Sequence, residues 1–552
     1  MKIKRILLVA TVALSATFAL SSCIKETFPK TGAITENQLL TGEPSTVLEC
    51  LLPGIHSNML GMCYSSDMHS DYGQFSMGVF HDYEAHIITN HGEPLYNHFN
   101  FAMWGNGYAP NGTMGHFAWY RYYPQIKSCN QIIDIVNQNG GDEQYPKYAG
   151  VAKTFRAMFY LDLARLFEPM LADAPEIPEY NDLVFDVIGL TVPYVDENTT
   201  EESAKNNPRA TREEMFTRIF ADLADAEKCL SEYARANASE PNLAVVYGLY
   251  ARAYLWLGGF EDGLSGELPE GNAAYTLAAE YARKAIAAHG ATPMTEAQWT
   301  DVKNGFNTVV PSWMLATICS SDTVISNLHN HPAHFAPELI AGYFPYVLVG
   351  VPNTWYDRLG AKDFRKKLII GPETTYAEFA PYTSMEQSEW NALPPHTFFK
   401  YRPAAGNRTD NMAAAAVSLP LMRVEEMYFI EMEAEYHVNG DVAAASKLEE
   451  FMVAYRDPQF KFLSNNYLDE IIFHKSVEFW GEGIVMFDMK RNNLPVKSKY
   501  DGSNFDPRSQ FNTTGRVAWW NYCLPQTETD LNAGITKNNP NPSYAITFET
   551  VR

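Results

Sequence analysis

The sequence predicts a mainly α fold in which helical hairpins are interrupted by two irregular insertions. Three observations carry that expectation. Apolar residues recur at helical spacing through about residues 120–290 and again through 419–491. Gly, Gly-Gly or Asn-Gly closes successive periodic runs, as residues that tolerate the left-handed conformation do at helix ends. Between the runs, about 56–119 and 311–414, the period is lost and Tyr, Phe, Trp, Asn, Gly and His accumulate.

The chain opens with Lys2, Lys4 and Arg5 before an apolar run from Ile6 to Leu20. That run is short for a membrane span and has the layout of an export signal. Leu20-Ser21-Ser22-Cys23 follows and resembles a bacterial lipobox, in which cleavage precedes the cysteine and its sulfur is lipidated. Ile24 stands where an inner-membrane retention signal has Asp. The expected organisation is a signal peptide over 1–22, lipidated Cys23 with a tether over 23–40, and one domain over 41–552. More than one acyl chain is needed for stable anchoring, at about 0.8 kcal/mol per buried methylene, and a triacylated Cys23 would meet that need.

Of 552 residues, 46% are hydrophobic and 19% charged, the balance of a folded chain. Net charge is −23, and −26 without residues 1–22, which hold three basic residues and no acid. Such a surface repels nucleic acid and anionic headgroups. Six cysteines remain after Cys23, at wide spacing and without C-x-x-C, so a zinc site is not expected; disulfides and free thiols both stay open.

In the scaffold, Tyr120–Asn139 places Tyr123, Ile126, Cys129, Ile133 and Val136 on one helix face, with Pro124 in its first turn. Tyr148–Phe167 follows and stops at Glu168-Pro169. Thr211-x-x-Glu214 is a capping box opening the next helix. Leu243–Leu257 ends at Gly258-Gly259, and Tyr275–His289 ends at Gly290. Glu425–Val438 ends at Asn439-Gly440, after which Asp441 is expected to cap Val442–Tyr455; so short a link makes the two antiparallel. Leu468–Phe479 runs into Trp480-Gly481-Glu482-Gly483. Ala251-x-x-Tyr254 with Ala278, Ala282 and Ala285 resembles degenerate tetratricopeptide repeats, where small residues let paired helices approach.

No G-x-S-x-G, Walker loop or dinucleotide fingerprint occurs, and no H-E-x-x-H. His56, His69, His81, His86, His91, His98 and His116, and the group His329, His331 and His334, read as polar loop residues rather than metal ligands. The acids Glu425, Glu426, Glu431, Glu433 and Glu435 share one helix, with Arg423 and Lys447 as ion-pair partners. Glu482, between two glycines that permit a sharp bend, is expected to bond backbone N–H groups there. No catalytic residue, cofactor or metal is expected.

Three stretches carry a family resemblance: Arg423-x-x-Glu426 with the helix after it, Glu478-x-x-Gly481-Glu482-Gly483 with Asp488 and Arg491, and the closing Trp519–Pro525, Glu528, Asn532 and Asn538-Asn539-Pro540. Together they resemble the SusD/RagB family, nutrient-binding outer-membrane lipoproteins of Bacteroidetes. The closing segment is read as a hydrophobic strand running into Pro-x-x-Glu. Ile484-Val485-Met486 after the glycines, Arg456-Asp457-Pro458 and Glu168–Pro175 depart from the usual pattern, as in a divergent branch. The resemblance implies a SusD-like fold with tetratricopeptide-type repeats and an irregular ligand-binding half. It implies a surface-exposed protein that captures an oligosaccharide and passes it to a SusC-like TonB-dependent transporter. A peptide or other nutrient, or a surface glycoside hydrolase or lyase, is the alternative.

A sugar offers an apolar face to an aromatic ring and a hydroxyl rim to Asn, Asp, Gln or Arg. On that chemistry the candidate ligand residues are Trp104 with Asn106, Tyr108 and Asn111, joined by Asp67, Tyr72 and, from the second insertion, Trp313.

Overall fold

A computed structural model describes residues 42–63, 69–91, 102, 105–324, 330–340 and 342–545. Cys23, Asp67 and Trp104 lie outside these residues, as does the side chain of Asn106. The chain divides into two units, 1–51 and 52–552. Of the first, residues 42–51 are described, and they enter helix α1 (Pro44–Leu60). The second unit holds all the other described residues.

Its principal helices are α2 (Gln74–Glu84), α3 (Thr113–Gln138), α4 (Pro146–Phe167), α5 (Arg212–Cys229), α6 (Leu243–Leu257) and α7 (Gly271–His289). After the second insertion come α8 (Val424–Asn439), α9 (Asp441–Tyr455), α10 (Tyr467–Phe479) and α11 (Val485–Arg491). From α3 to α9 each helix packs on the next, and α7 packs directly on α8 although the whole second insertion separates them in sequence. The fold is mainly α, as expected, and the helix stack is continuous in space where the chain is not. Ala274, Ala278, Ala282 and Ala285 of α7 are buried, which lets α6 and α8 approach it closely. Beyond α8 the core continues through Phe429, Leu448, Phe451, Met452, Ile471 and Phe479.

The local signals work as physical chemistry requires. Thr211 Oγ1 accepts from the Glu214 N–H, and Glu214 accepts in return from the Thr211 N–H at 2.8 Å, a reciprocal cap contributing about 1 kcal/mol. Gly290 closes α7 at φ 72°. Some ends differ. Helix α3 starts at Thr113, so Pro124 lies inside it; Pro124 and Tyr120, whose carbonyl the proline leaves without its helical donor, are on the exposed side. Asp441 does not cap α9 from outside but sits in its first turn, where its charge meets the helix dipole. Helix α2 was expected to be irregular chain. Nine of its residues are buried, so it is covered on all sides and shows no one-sided stripe. The closing hydrophobic segment is a short 3-10 turn, Ala518–Trp520, and not a strand. Asn539 Nδ2 holds it by donating to the Phe167 and Tyr522 carbonyls at 2.7 Å each.

Strands are few and short: β1 (Thr89–Asn90), β2 (Leu190–Pro193), β3 (Arg209–Thr211), β4 (Trp313–Ile318), β5 (Val349–Gly350) and β6 (Ser418–Arg423). They form three antiparallel pairs, β1–β5, β2–β3 and β4–β6. Two of these pairs anchor the second insertion. Strand β4 pairs with β6, and β5 crosses to β1 in the first insertion with Thr89 opposite Gly350.

A buried ionic cluster locks the insertion to the helices. Glu478 accepts from Arg456 Nε and Nη2 at 2.8 Å each, from Arg423 Nη1 at 3.0 Å and from Arg365 Nη1 at 3.2 Å. Burial alone would raise the Glu478 pKa, but Arg456, Arg423 and Arg365 outweigh it and hold the carboxyl well below the usual range. Glu482 takes Lys400 Nζ at 2.6 Å and Arg423 at 2.9 and 3.0 Å. Its partners are therefore cations, not the backbone N–H groups expected of it; the Gly481 N–H goes to Asp82 Oδ2 at 2.5 Å. The α8 acids are paired as expected: Arg423–Glu425 at 3.2 Å and Lys447–Glu431 at 3.1 Å, with Arg252 added on Glu426 at 2.6 Å.

The six described cysteines are unpaired. Among the described residues no helix is long and apolar enough to cross a membrane.

Candidate functional site

The two insertions meet along a seam of interleaved rings. His69 and Tyr72 come from the first; His334 and Tyr343 come from the second. Tyr72 stacks on His334 with centroids 5.0 Å apart, His334 on Tyr343 at 4.9 Å, and Tyr343 on His69 at 4.0 Å. The interplanar angles are 26°, 12° and 23°, and His69 also meets His334 at 5.6 Å and 15°, so the four rings form one near-parallel cluster.

Each ring is placed by its backbone. Gly73 at φ 101° turns the chain into α2, and the Tyr72 N–H donates to Ser76 Oγ at 2.8 Å. Asp71, next to Tyr72, is held by Arg121 Nη2 at 2.7 Å and the Cys63 N–H at 2.8 Å. On the other side, Asn330 caps a short helix, His331–Phe335, by accepting from the Ala333 N–H. The Tyr343 N–H returns to the Ala333 carbonyl at 2.8 Å. His331 is packed against Tyr401 at 4.3 Å, and burial, with Lys400 nearby, pushes its pKa down to about 3, so it is neutral at physiological pH.

The seam opens to solvent at its second-insertion end. Tyr343 is half-buried, while Tyr346 is 69% exposed and Ile340 54%. Below, the cavity lined by Tyr72, Phe75, Asn330 and His331 holds only about 40 Å³. A second interior cavity, about 70 Å³ beside Asp162, Arg165, Arg252 and Glu426, is no better. Both are far below the roughly 300–1,000 Å³ of a built small-molecule site, so neither takes a pyranose. A ligand at the seam therefore lies across its mouth.

The structure redistributes the sequence candidates. Tyr72 is in the seam, yet only 7% exposed, so it supports the stack rather than offering a free face. Tyr108 is 1% exposed, and its hydroxyl donates to Glu84 Oε1 and the Ala102 carbonyl at 2.9 Å each; it is a core residue. Trp313 is likewise 1% exposed, at the start of β4 against Phe306, and its ring is core packing rather than a ligand platform. Both rings are closed off because strand and helix contacts consume their faces. Asn111 is exposed just before α3. His69, His334, Tyr343 and Tyr346 were not among the candidates. The available signal was two His-and-Tyr-rich stretches, one in each insertion.

Glu84 gives this region a pH dependence. Burial pushes its pKa up to about 8 from 4.5, against the pull of the Tyr522 and Tyr108 hydroxyls. Between those values the unfolded chain gives up the proton and the fold keeps it, so stability falls as pH rises through that window. Glu84→Gln, which cannot ionise, should flatten the slope. Urea midpoints measured across the window check this, and an unchanged slope would mean Glu84 ionises within the fold.

Comparisons with known proteins agree with this architecture. A family model described as SusD-like, "Starch-binding associating with outer membrane", matches residues 82–255, and the SusD family model matches 369–544. No curated protein matches the sequence. Among solved structures, a SusD-like carbohydrate binding protein from Bacteroides vulgatus is 19% identical with a TM-score of 0.66, over 90% of this chain and 98% of that one. Surface glycan-binding protein A from Bacteroides thetaiotaomicron, solved with laminarihexaose, is 16% identical with a TM-score of 0.61, over 89% and 98%. A putative sugar binding protein from Bacteroides vulgatus is 21% identical with a TM-score of 0.63, over 90% and 98%. The likeness to these structures is one of fold. With SusD models matching both the α2–α6 half and the half that carries the glutamate–glycine corner, the chain belongs to the SusD/RagB family.

Proposed function

We propose that this protein is a lipid-anchored binding protein of the outer membrane surface that captures an oligosaccharide and delivers it to a partner TonB-dependent transporter. The observation that carries the reading is the ring cluster between the insertions, which contains half-buried Tyr343 and has exposed Tyr346 three residues further along the chain. Flat rings at a solvent-facing mouth suit the apolar face of a sugar. Glu426 of α8 and Glu478 of α10 are engaged by arginines, which supports capture without chemistry. The laminarihexaose held by surface glycan-binding protein A makes a neutral glucan a reasonable first probe.

Calorimetric titration with laminarihexaose, other neutral hexaoses and a peptide mixture is the test. Saturable heat from a hexaose is expected; heat from peptides alone would transfer the reading to a peptide binder, and new reducing ends to a hydrolase. Tyr346→Ala should weaken binding about tenfold, the loss of one stacking contact of about 1.4 kcal/mol. Trp104→Ala, outside the described residues, is expected to weaken binding without unfolding the protein. Anchoring is checked separately: Cys23→Ser should move the protein from the membrane fraction to the soluble fraction, and retention on the membrane would remove the lipid from the account.

A further inference from the structure

We propose that an open cleft within the second insertion is a second carbohydrate subsite, distinct from the ring seam. This rests on the glycan reading above. The cleft encloses about 700 Å³ and shares none of its lining with the seam. That volume is in the range of built small-molecule sites, about 300–1,000 Å³. Its walls are the helix Asn353–Arg358, the 3-10 turn Phe364–Leu368 and the helix Tyr376–Phe379.

The aromatic content is of the right kind. Tyr356 and Tyr382 are half-buried, with Phe379 buried between the walls. Tyr356 is fixed before any ligand arrives. Lys366 Nζ sits 4.3 Å from its ring centroid, and the His396 ring meets it edge-on at 6.4 Å. At Gly371 a Cβ would come within 2.2 Å of Tyr356 Cζ, so the backbone approaches this ring as closely as only glycine allows. The Tyr382 backbone is fixed by its carbonyl, which accepts from Arg402 Nη2 at 2.8 Å. Rings immobilised in advance lose little entropy on binding.

The polar groups define the ligand. Asp357 and Glu373 stand exposed around the cleft as acceptors for sugar hydroxyls, while exposed Glu378 Oε2 already accepts from the Thr375 N–H at 2.9 Å and Oγ1 at 2.7 Å. Of the two lysines, Lys367 is paired with Glu296 at 2.6 Å, and Lys366 gives one proton to the Leu359 carbonyl at 3.1 Å. The rim is therefore net negative. It suits a neutral or amino-bearing oligosaccharide and repels a uronate. A long glycan spanning this cleft and the seam would gain from effective concentration rather than from new contacts.

The test uses the full chain and laminarihexaose, maltohexaose, chitohexaose and hexagalacturonate as probes, titrated into wild type, Tyr346→Ala, Tyr382→Ala and the double variant. Tyr346→Ala is expected to show, beside seam binding weakened about tenfold, a second weak saturable component for a neutral or amino hexaose that is missing from the double variant; hexagalacturonate is expected to give none. Exposed Glu373→Ala, whose side chain supports no packing, should weaken the same component about threefold and guards against a folding defect in the tyrosine variant. If both cleft variants bind as wild type, or if Tyr346→Ala abolishes all binding, the cleft is rejected and the seam stands. If no hexaose binds any form, both the cleft and the glycan reading fall.

Discussion

Glu478→Gln should destabilise the folded protein by about 3–5 kcal/mol, the loss seen when one partner leaves a buried ion cluster. Three guanidinium groups, from Arg365, Arg423 and Arg456, face this one carboxylate, and all four side chains are sealed from solvent. The amide keeps the shape and part of the hydrogen bonding but leaves the positive charges under-compensated. The same substitution should alter the acid limb. Glu478 is held far below its ordinary 4.5, so its stabilisation is complete above that pH and drains away as pH falls toward the lower folded value. Wild type should lose stability on acidification below about pH 4.5, and the variant should lose less. Denaturant unfolding at neutral and acid pH measures both; equal midpoints for the two proteins at neutral pH would show that the cluster is not a net support.

Gly483→Ala should cost about 3 kcal/mol or more, from two sources. Gly483 has φ 74°, where an alanine is strained by about 1–2 kcal/mol. Its Cβ would also lie 2.1 Å from the Gly78 Cα, so the corner and helix α2 touch backbone to backbone and the clash has no flexible side chain to absorb it. Gly502→Ala is the matched control: φ is also 74°, but nothing lies within 4 Å of the added carbon. The difference between the two midpoints isolates the clash. If Gly483→Ala behaves like Gly502→Ala, the corner opens easily and does not fix the insertion.

Much of the frame was legible in the sequence because its signals are local. Thr211-x-x-Glu214, Gly290 and Asn439-Gly440 each act within a few residues, and the helices end where they say. Helix α2 was not legible, since a helix buried all round has no stripe and its Gly-and-aromatic composition imitates a loop. Glu482 was misread for a different reason. Its neighbours in sequence are glycines, but its partners Lys400 and Arg423 arrive from 82 and 59 positions away. The site was the least legible part. Tyr108 and Trp313 look like ring platforms until burial accounts for them, and the stacks Tyr72–His334 and His69–Tyr343 form only across the fold.

The seam also sets an order of events. Thr89 and Val351, bonded beside the β1–β5 pair that also joins the two insertions, are 262 positions apart. While the protein is being synthesised, the leading segment emerges long before its complement, and contacts so distant form late. On the reading proposed above, an amino-terminal fragment, however well its helices pack, would be blind to cargo. Conversely, cargo lying across the mouth staples the two segments together, so an occupied molecule should resist proteolytic nicking at loops where an empty one yields.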